Sequence, residues 1–337
     1  MAEPGWEGIA ASLGRLGEAV RDRVLAGRGA DADPAGVDRV AASDTIYRID
    51  RFGEEALRAW FAESWPPEVP VEVIAEGLGD ETGERFPEAA SGPRMTVLVD
   101  PIDGTRGLMY DKRPAWVLAG AAAGVGGTLA DLRAGAMVEI PPTKQTVSDV
   151  LLAWADGSGG FRRRCRRFDS ASGASVPLSP APSGAADLRH GFASFASFFP
   201  EGRAEIEAIE NAFLRRHLPE YPAASPLVFA DQYISTGGQL YELLAGRDRM
   251  VADLRPLVFR RLGWDGCLSC HPYDLAGLPV ALASGVVVEN PWGGPVAAPL
   301  DTTTPVAWVA YANRSLADTL RPLLREALWE RGYPEQP

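Results

Sequence analysis

The chain of 337 residues is too long for one minimal domain and suits two modest domains or one large one. With 46% hydrophobic and 23% charged residues it can bury a large core without cross-links. Its net charge of −12 excludes a general nucleic-acid binder, yet leaves phosphate chemistry open wherever a metal ion reverses the local sign.

The opening residues Met1 to Trp6 show neither the basic start nor the apolar run of a secretory leader. The longest apolar stretch, Trp116 to Val125, is too short to span a bilayer, so no membrane partner is expected. Three cysteines cannot build a disulfide framework, and the cytoplasm is the expected compartment.

In chain order, helical spacing first becomes clear from about Val37 to Phe61, where Val40, Ile46, Ile49, Phe52, Leu57 and Trp60 share a face. Pro66-Pro67 ends that pattern. Val69 to Ala75 reads as a strand ending at Glu76, and Thr96 to Val99 as a buried strand running into Asp100. Trp116–Ala123, Ala134–Ile140 and Val147–Trp154 continue as strands, which suggests a sheet covered by the early helix. Residues 156–187, rich in Gly, Ser, Pro and Arg, read as an exposed loop and a domain boundary. Beyond it, helices are expected at Glu201–Leu218, Gln239–Leu244, Asp274–Ser284 and Leu316–Trp329. Strands are expected at Leu227–Ala230, Val286–Glu289 and Val306–Tyr311.

The strongest chemical signal is Asp100-Pro101-Ile102-Asp103-Gly104-Thr105. Two carboxylates three residues apart at a strand end can converge if the chain turns between them, and hard divalent cations favour such oxygen ligands. Pro101 stiffens the turn, Gly104 permits close backbone approach, and a helix starting near Thr105 would aim free amides at the same point.

This hexapeptide is similar to the Asp-Pro-x-Asp-Gly-Thr signature of the inositol monophosphatase family, whose wider superfamily includes fructose bisphosphatases and phosphoadenosine phosphate phosphatases. Val73-Ile74-Ala75-Glu76-Gly77 resembles the family's upstream Gly-Glu-Glu strand end, which carries a metal ligand to Glu76. The second glutamate is replaced by Gly77, and Asp80 or Glu81 are candidate substitutes. Ala41-Ala42-Ser43-Asp44 resembles the segment supplying an aspartate near the nucleophilic water, a role carried to Asp44. Tyr273-Asp274-Leu275-Ala276-Gly277 resembles the Trp-Asp-x-Ala-Ala-Gly motif, which places Asp274 in the metal site at a helix start. Trp264-Asp265-Gly266 is a rival for that motif, but no long helix follows it. Gly293-Gly294-Pro295 resembles a further family turn, so the matches run from about residue 40 to 310.

The resemblance implies an α/β (α+β) fold with layers αβαβα and two sub-domains. An N-terminal metal- and phosphate-binding unit would span 1–158, an exposed loop 159–187, and a C-terminal unit carrying Asp274 and specificity 188–337. It also implies two magnesium ions with a third, weaker one, and a homodimer. One magnesium would be held by Glu76, Asp100 and the Ile102 carbonyl, the other by Asp100, Asp103 and Asp274. Thr105, with Glu76 or Asp44, would orient the water, and Gly104 and Thr105 would hold the phosphate of a small-molecule ester. Arg106 could reach a second anionic group, Gly238 lies in a turn that approaches the substrate, and Asp253 corresponds to an acidic residue binding a hydroxyl. The expected activity is hydrolysis of a phosphorylated polyol or sugar. Alternatives are fructose bisphosphate, 3′-phosphoadenosine 5′-phosphate, and a non-catalytic metal-binding relative.

Other signals are weaker. Cys267-Leu268-Ser269-Cys270-His271 matches a haem c attachment pattern, but that chemistry needs export, so buried cysteines are the expectation. The run Arg162–Arg167 reads as a solvated loop, with a lid or subunit contact as the sharper alternative and RNA binding disfavoured by charge. No serine has a nucleophile-elbow context.

Overall fold

A computed structural model describes residues 5–30, 35–40, 45–78, 83–88, 92–264 and 266–335. Helix α1 (Trp6–Ala30) is followed by a short hairpin, β1 (Val37–Val40) and β2 (Thr45–Tyr47), and by α2 (Arg48–Glu63). Strands β3 (Val71–Ala75), β4 (Glu84–Phe86) and β5 (Met95–Asp103) lead into the one-turn helix α3 (Thr105–Met109). Long strands β6 (Ala115–Ala123), β7 (Leu132–Ile140), β8 (Val147–Ala155) and β9 (Phe161–Asp169) then meander antiparallel, with β10 (Ser175–Leu178) at the edge. The second half comprises β11 (Gly191–Phe195), α4 (Arg203–His217), β12 (Val228–Phe229), α5 (Thr236–Leu244), β13 (Asp248–Asp253) and α6 (Arg255–Leu262). It closes with α7 (Leu278–Ser284), β14 (Val287–Glu289), β15 (Trp308–Tyr311) and α8 (Arg314–Glu330).

Among the described residues the strands form an eight-stranded sheet, β10-β9-β8-β7-β6-β5-β3-β4, and a five-stranded one, β12-β11-β13-β15-β14. Strand alternation sorts the large sheet's side chains into two cores. In β6, Ala115, Val117, Ala119 and Ala121 join α1 and α2 on one face. Trp116, Leu118 and Ala122 face α5, α7 and the second sheet on the other. With α4 and α8 packed together beyond the second sheet, the order of layers is α, β, α, β, α. That is the architecture the motifs imply.

Three expectations change. The segment from Val37 is not one helix: the chain forms the β1–β2 hairpin first, and the helix begins only at Arg48. Helix α1, absent from the periodicity reading, buries Ile9, Leu13, Leu16, Val20 and Val24 at three- and four-residue spacing against β7 and β8. Residues 161–169 are a sheet strand, not a loop. Along β9 the parity of the strand divides the arginines. Arg164 pairs with Glu7 and Arg166 with Glu18 on α1, whereas Arg167 faces the inner core and grips Asp149 bidentately at 2.7 and 2.8 Å. The arginine run thus fastens α1 to the sheet.

Leu13 is fully buried in that contact. Leu13→Ala is expected to cost about 2–5 kcal/mol, read as a lowered midpoint in urea unfolding.

Candidate functional site

Strand β5 carries the first two carboxylates, and its irregularity decides where they point. Pairing with β6 runs Asp100↔Leu118 and then Asp103↔Trp116, so three steps on one strand face two on the other. Three residues apart in a regular strand, positions 100 and 103 would lie on opposite faces; the bulge turns both toward the inner face that Leu118 and Trp116 share. Parallel pairing of β3 with β5 aligns Ala75 with Val99 and so sets Glu76 beside Asp100 at the strand ends. The third carboxylate arrives from the distant chain: Asp274 sits in a 3₁₀ turn, Pro272–Leu275, fixed by the His271 N–H donating to its Oδ2 at 2.6 Å. Helix α7 starts only at Leu278, so Asp274 precedes the helix it was expected to open.

Ligand oxygens of Asp100, Asp103 and Asp274 lie within 4.8 Å of one another, and Glu76, Ile102, Gly104 and Thr105 line the same cleft. Asp103 is also tied to α5. Its carboxylate accepts bonds from Ser235 Oγ (2.6 Å), Thr236 N (3.1 Å) and Gly237 N (2.6 Å), the start of that helix. Burial pushes the Asp103 carboxyl up to about 6, against the pull of those bonds. Asp100 is raised well above the ordinary carboxylate range by burial and then by the charges of Glu76, Asp103 and Asp274. Asp274 is raised by burial and by Asp103. Such mutual repulsion among all-oxygen donors is what a hard divalent cation relieves, so the residues fit magnesium.

Two residues of helix α2 that the sequence reading missed complete the site. The Thr105 hydroxyl donates to Asp50 Oδ1 (2.8 Å) or to the Ile102 carbonyl (2.9 Å), and the Tyr47 N–H holds Asp50 Oδ2 at 2.7 Å. Asp44, to which the water-orienting role was carried, lies outside the described residues, as do Asp80, Glu81 and Asp265. One turn beyond Asp50, the carboxylate of Glu54 occupies the space beside Gly77. A Cβ at position 77, where φ is +73°, would collide with Glu54 Oε1. Beside the position after Glu76, where an acidic group is missing, stands the carboxylate of Glu54, which lines a small recess with Asp50 and Glu76. A helix N-terminal acidic residue at position 50 is a legible signal; Glu54 has none, because its neighbour is distant in sequence.

Two substrate expectations move to neighbouring residues. Asp253 is fully buried, and both its oxygens accept from Arg255, so Arg255 is the member of that pair lining the cleft. Gly238 is buried against Tyr233 and its N–H donates to Ser235 Oγ (2.8 Å), while Ser235 and Thr236 line the cleft. Arg106 lines it as expected. Cys267 and Cys270 are free thiols, and burial with the charge of Asp274 drives the Cys270 thiol well above its usual range, unlike a thiolate ligand.

Neither a family model nor a curated protein matches the sequence. Solved structures do match along nearly the whole chain. An inositol monophosphatase from Zymomonas mobilis is 16% identical over 96% of this chain and 99% of its own, with a TM-score of 0.57. SuhB of Mycobacterium tuberculosis is 19% identical over 99% and 100%, with a TM-score of 0.61. The chain has the inositol monophosphatase fold. Fructose-1,6-bisphosphatase of Leishmania major shares it, at 12% identity over 93% and 92% and a TM-score of 0.60. Within the inositol monophosphatase fold of this chain, the carboxylates stand on the first sheet and in the turn before α7. Among the described residues no helix is long and apolar enough to cross a membrane.

Two outcomes are expected. In a double-mutant cycle, Gly77→Ala and Glu54→Ala should couple by about 0.5–3 kcal/mol, because the second change removes the collision caused by the first. The raised pKa of Asp103 means that, without metal, this group holds more proton in the folded than in the unfolded chain between about pH 4 and 6, so its contribution to stability falls as pH rises through that window. A divalent cation bound there would compete with that proton, so stabilisation by magnesium, read as a shift in Tm, should be larger at pH 7 than at pH 5.

Proposed function

We propose that the protein is a magnesium-dependent phosphomonoesterase acting on a small phosphorylated polyol or sugar. The observation that supports this most is the convergence of Asp100, Asp103 and Asp274 within 4.8 Å in a cleft shared with Glu76 and Thr105. Solved structures of the same fold include enzymes named as inositol monophosphatases and a fructose-1,6-bisphosphatase, in keeping with that chemistry.

Asp100, Asp103, Asp274, Glu76 and the Ile102 carbonyl would hold the metal ions, two with a third, weaker one. When bound, magnesium supplies Lewis acidity to phosphoryl oxygens and acidifies water at the site. The chain's own part in the reaction centres on Thr105. When its hydroxyl proton is directed to Asp50, its lone pairs face outward and can accept a hydrogen bond from the attacking water. Asp50, held by the Tyr47 amide, then serves as the terminal acceptor of that proton. The arrangement supports direct attack by water. The reading of a non-catalytic relative rested on the acidic residue absent at position 77, and the nearness of the Glu54 carboxylate to that position supports the catalytic reading instead.

Phosphate release should be measured from inositol phosphates, sugar phosphates, fructose bisphosphate and phosphoadenosine phosphate, with magnesium and with chelator. Magnesium-dependent turnover is expected, and silence across the panel from folded protein would overturn the proposal. Asp50→Asn should lower kcat by roughly 10²–10⁴ with little change in KM, as loss of a proton acceptor does.

A further inference from the structure

One wall of the cleft is cationic and aromatic, and the hydrolysis of a simple phosphate ester makes no use of it. Arg255, 6% exposed at the start of α6, donates from Nε and Nη2 to the two oxygens of Asp253 at 2.9 and 2.6 Å. Its Nη1 donates to the Leu268 carbonyl at 3.4 Å. The guanidinium carbon lies 4.7 Å from the ring centre of Phe198 and 5.9 Å from that of Phe199. Arg106, the residue after Thr105, places its guanidinium 5.7 Å from the same Phe199 ring and 5.7 Å from Tyr47. Both arginines line the cleft that holds Asp100, Asp103 and Asp274.

Burying an ion pair such as Asp253–Arg255 adds little stability over an apolar pair of equal volume, so stability alone does not account for it. What the pair does provide is a guanidinium fixed in direction. Three of its five N–H groups are engaged, and two remain in a plane set by Asp253 and covered by Phe198. The rings also limit the rotamers of both arginines, which lowers the entropy lost on capturing a ligand. The two guanidiniums make this wall, where Phe198, Phe199, Leu268 and Ser269 stand beside them, rich in donors suited to an anion.

We propose that Arg255 and Arg106, backed by Phe199, form a subsite for a second anionic group of the substrate, a phosphate or a carboxylate carried apart from the scissile ester. The proposal rests on the phosphomonoesterase reading and narrows its substrate class to doubly anionic esters.

Two ligand pairs that differ only in the second anion test it by calorimetric binding and by turnover in magnesium: 3-phosphoglycerate against glycerol 3-phosphate, and fructose 1,6-bisphosphate against fructose 6-phosphate. The doubly anionic member of at least one pair should bind about ten-fold or more tightly. The pair that shows the gap tells whether the second anion is carboxylate or phosphate. Arg255→Gln would strand Asp253 in the interior, so Arg106→Gln and Phe199→Ala carry the mutational test. Each should shrink the gap to about three-fold or less, with thermal melts confirming folded protein. Equal affinities within both pairs, or a gap unchanged in both variants, would overturn the subsite. A binding gap without phosphate release from any ligand would overturn the hydrolysis reading and leave the subsite standing.

Discussion

The carboxylate of Asp103 is the joint on which the arrangement depends. It stands at the end of β5, an interior strand of the large sheet, and it accepts three hydrogen bonds from the N-terminus of α5, the helix lying between the two sheets. Helix starts leave amides unsatisfied and favour negative charge, so this contact meets a need of α5 while fixing the second half of the chain over the first. It also sets where Asp274 can lie, since the turn carrying that residue packs on β5, β6 and α5. A side chain offered to a metal is thus also one the two halves use to find each other.

The two halves of the chain contribute different groups to the cleft. The carboxylates come from the ends of β3 and β5, from α2 and from the turn before α7. Phe198, Phe199, Ser235, Arg255 and Leu268, which line much of the rest, come from connections and helix starts of the second half, whereas Arg106 follows β5 in the first. Loops on a rigid frame can change without disturbing the sheets, which suits one metal core to many esters.

What the sequence made legible followed contact distance. Asp100 and Asp103 were readable because they stand in one short motif directly after a largely apolar strand. A sheet covered by helix was readable from the apolar segments of β6, β7 and β8, and the full layering from the family resemblance. Glu54 was not, since its role exists only once α2 packs against the turn at Gly77. Asp253 was read as a substrate contact because its acidic type was visible and its occupation by Arg255 was not. The arginine run was judged by composition, which suggested a loop, whereas alternation along β9 was the informative property. Helix α1 carried a regular apolar stripe from Ile9 to Val24 and was open to the same reading that found α2. At 12–19% identity the solved structures of this fold share little sequence with the chain, so the likeness lies in the backbone.

The bulge between Asp100 and Asp103 gives the site a dependence on chain length as well as on residue type. Straightening the strand while keeping the spacing of three would restore regular alternation, and Asp103 would then point into the opposite core, against the apolar side chains of α1 and α2. Every residue of the motif would survive, yet the carboxylates would no longer share a face. An odd spacing and a bulge thus act as one device, and neither orients the pair without the other.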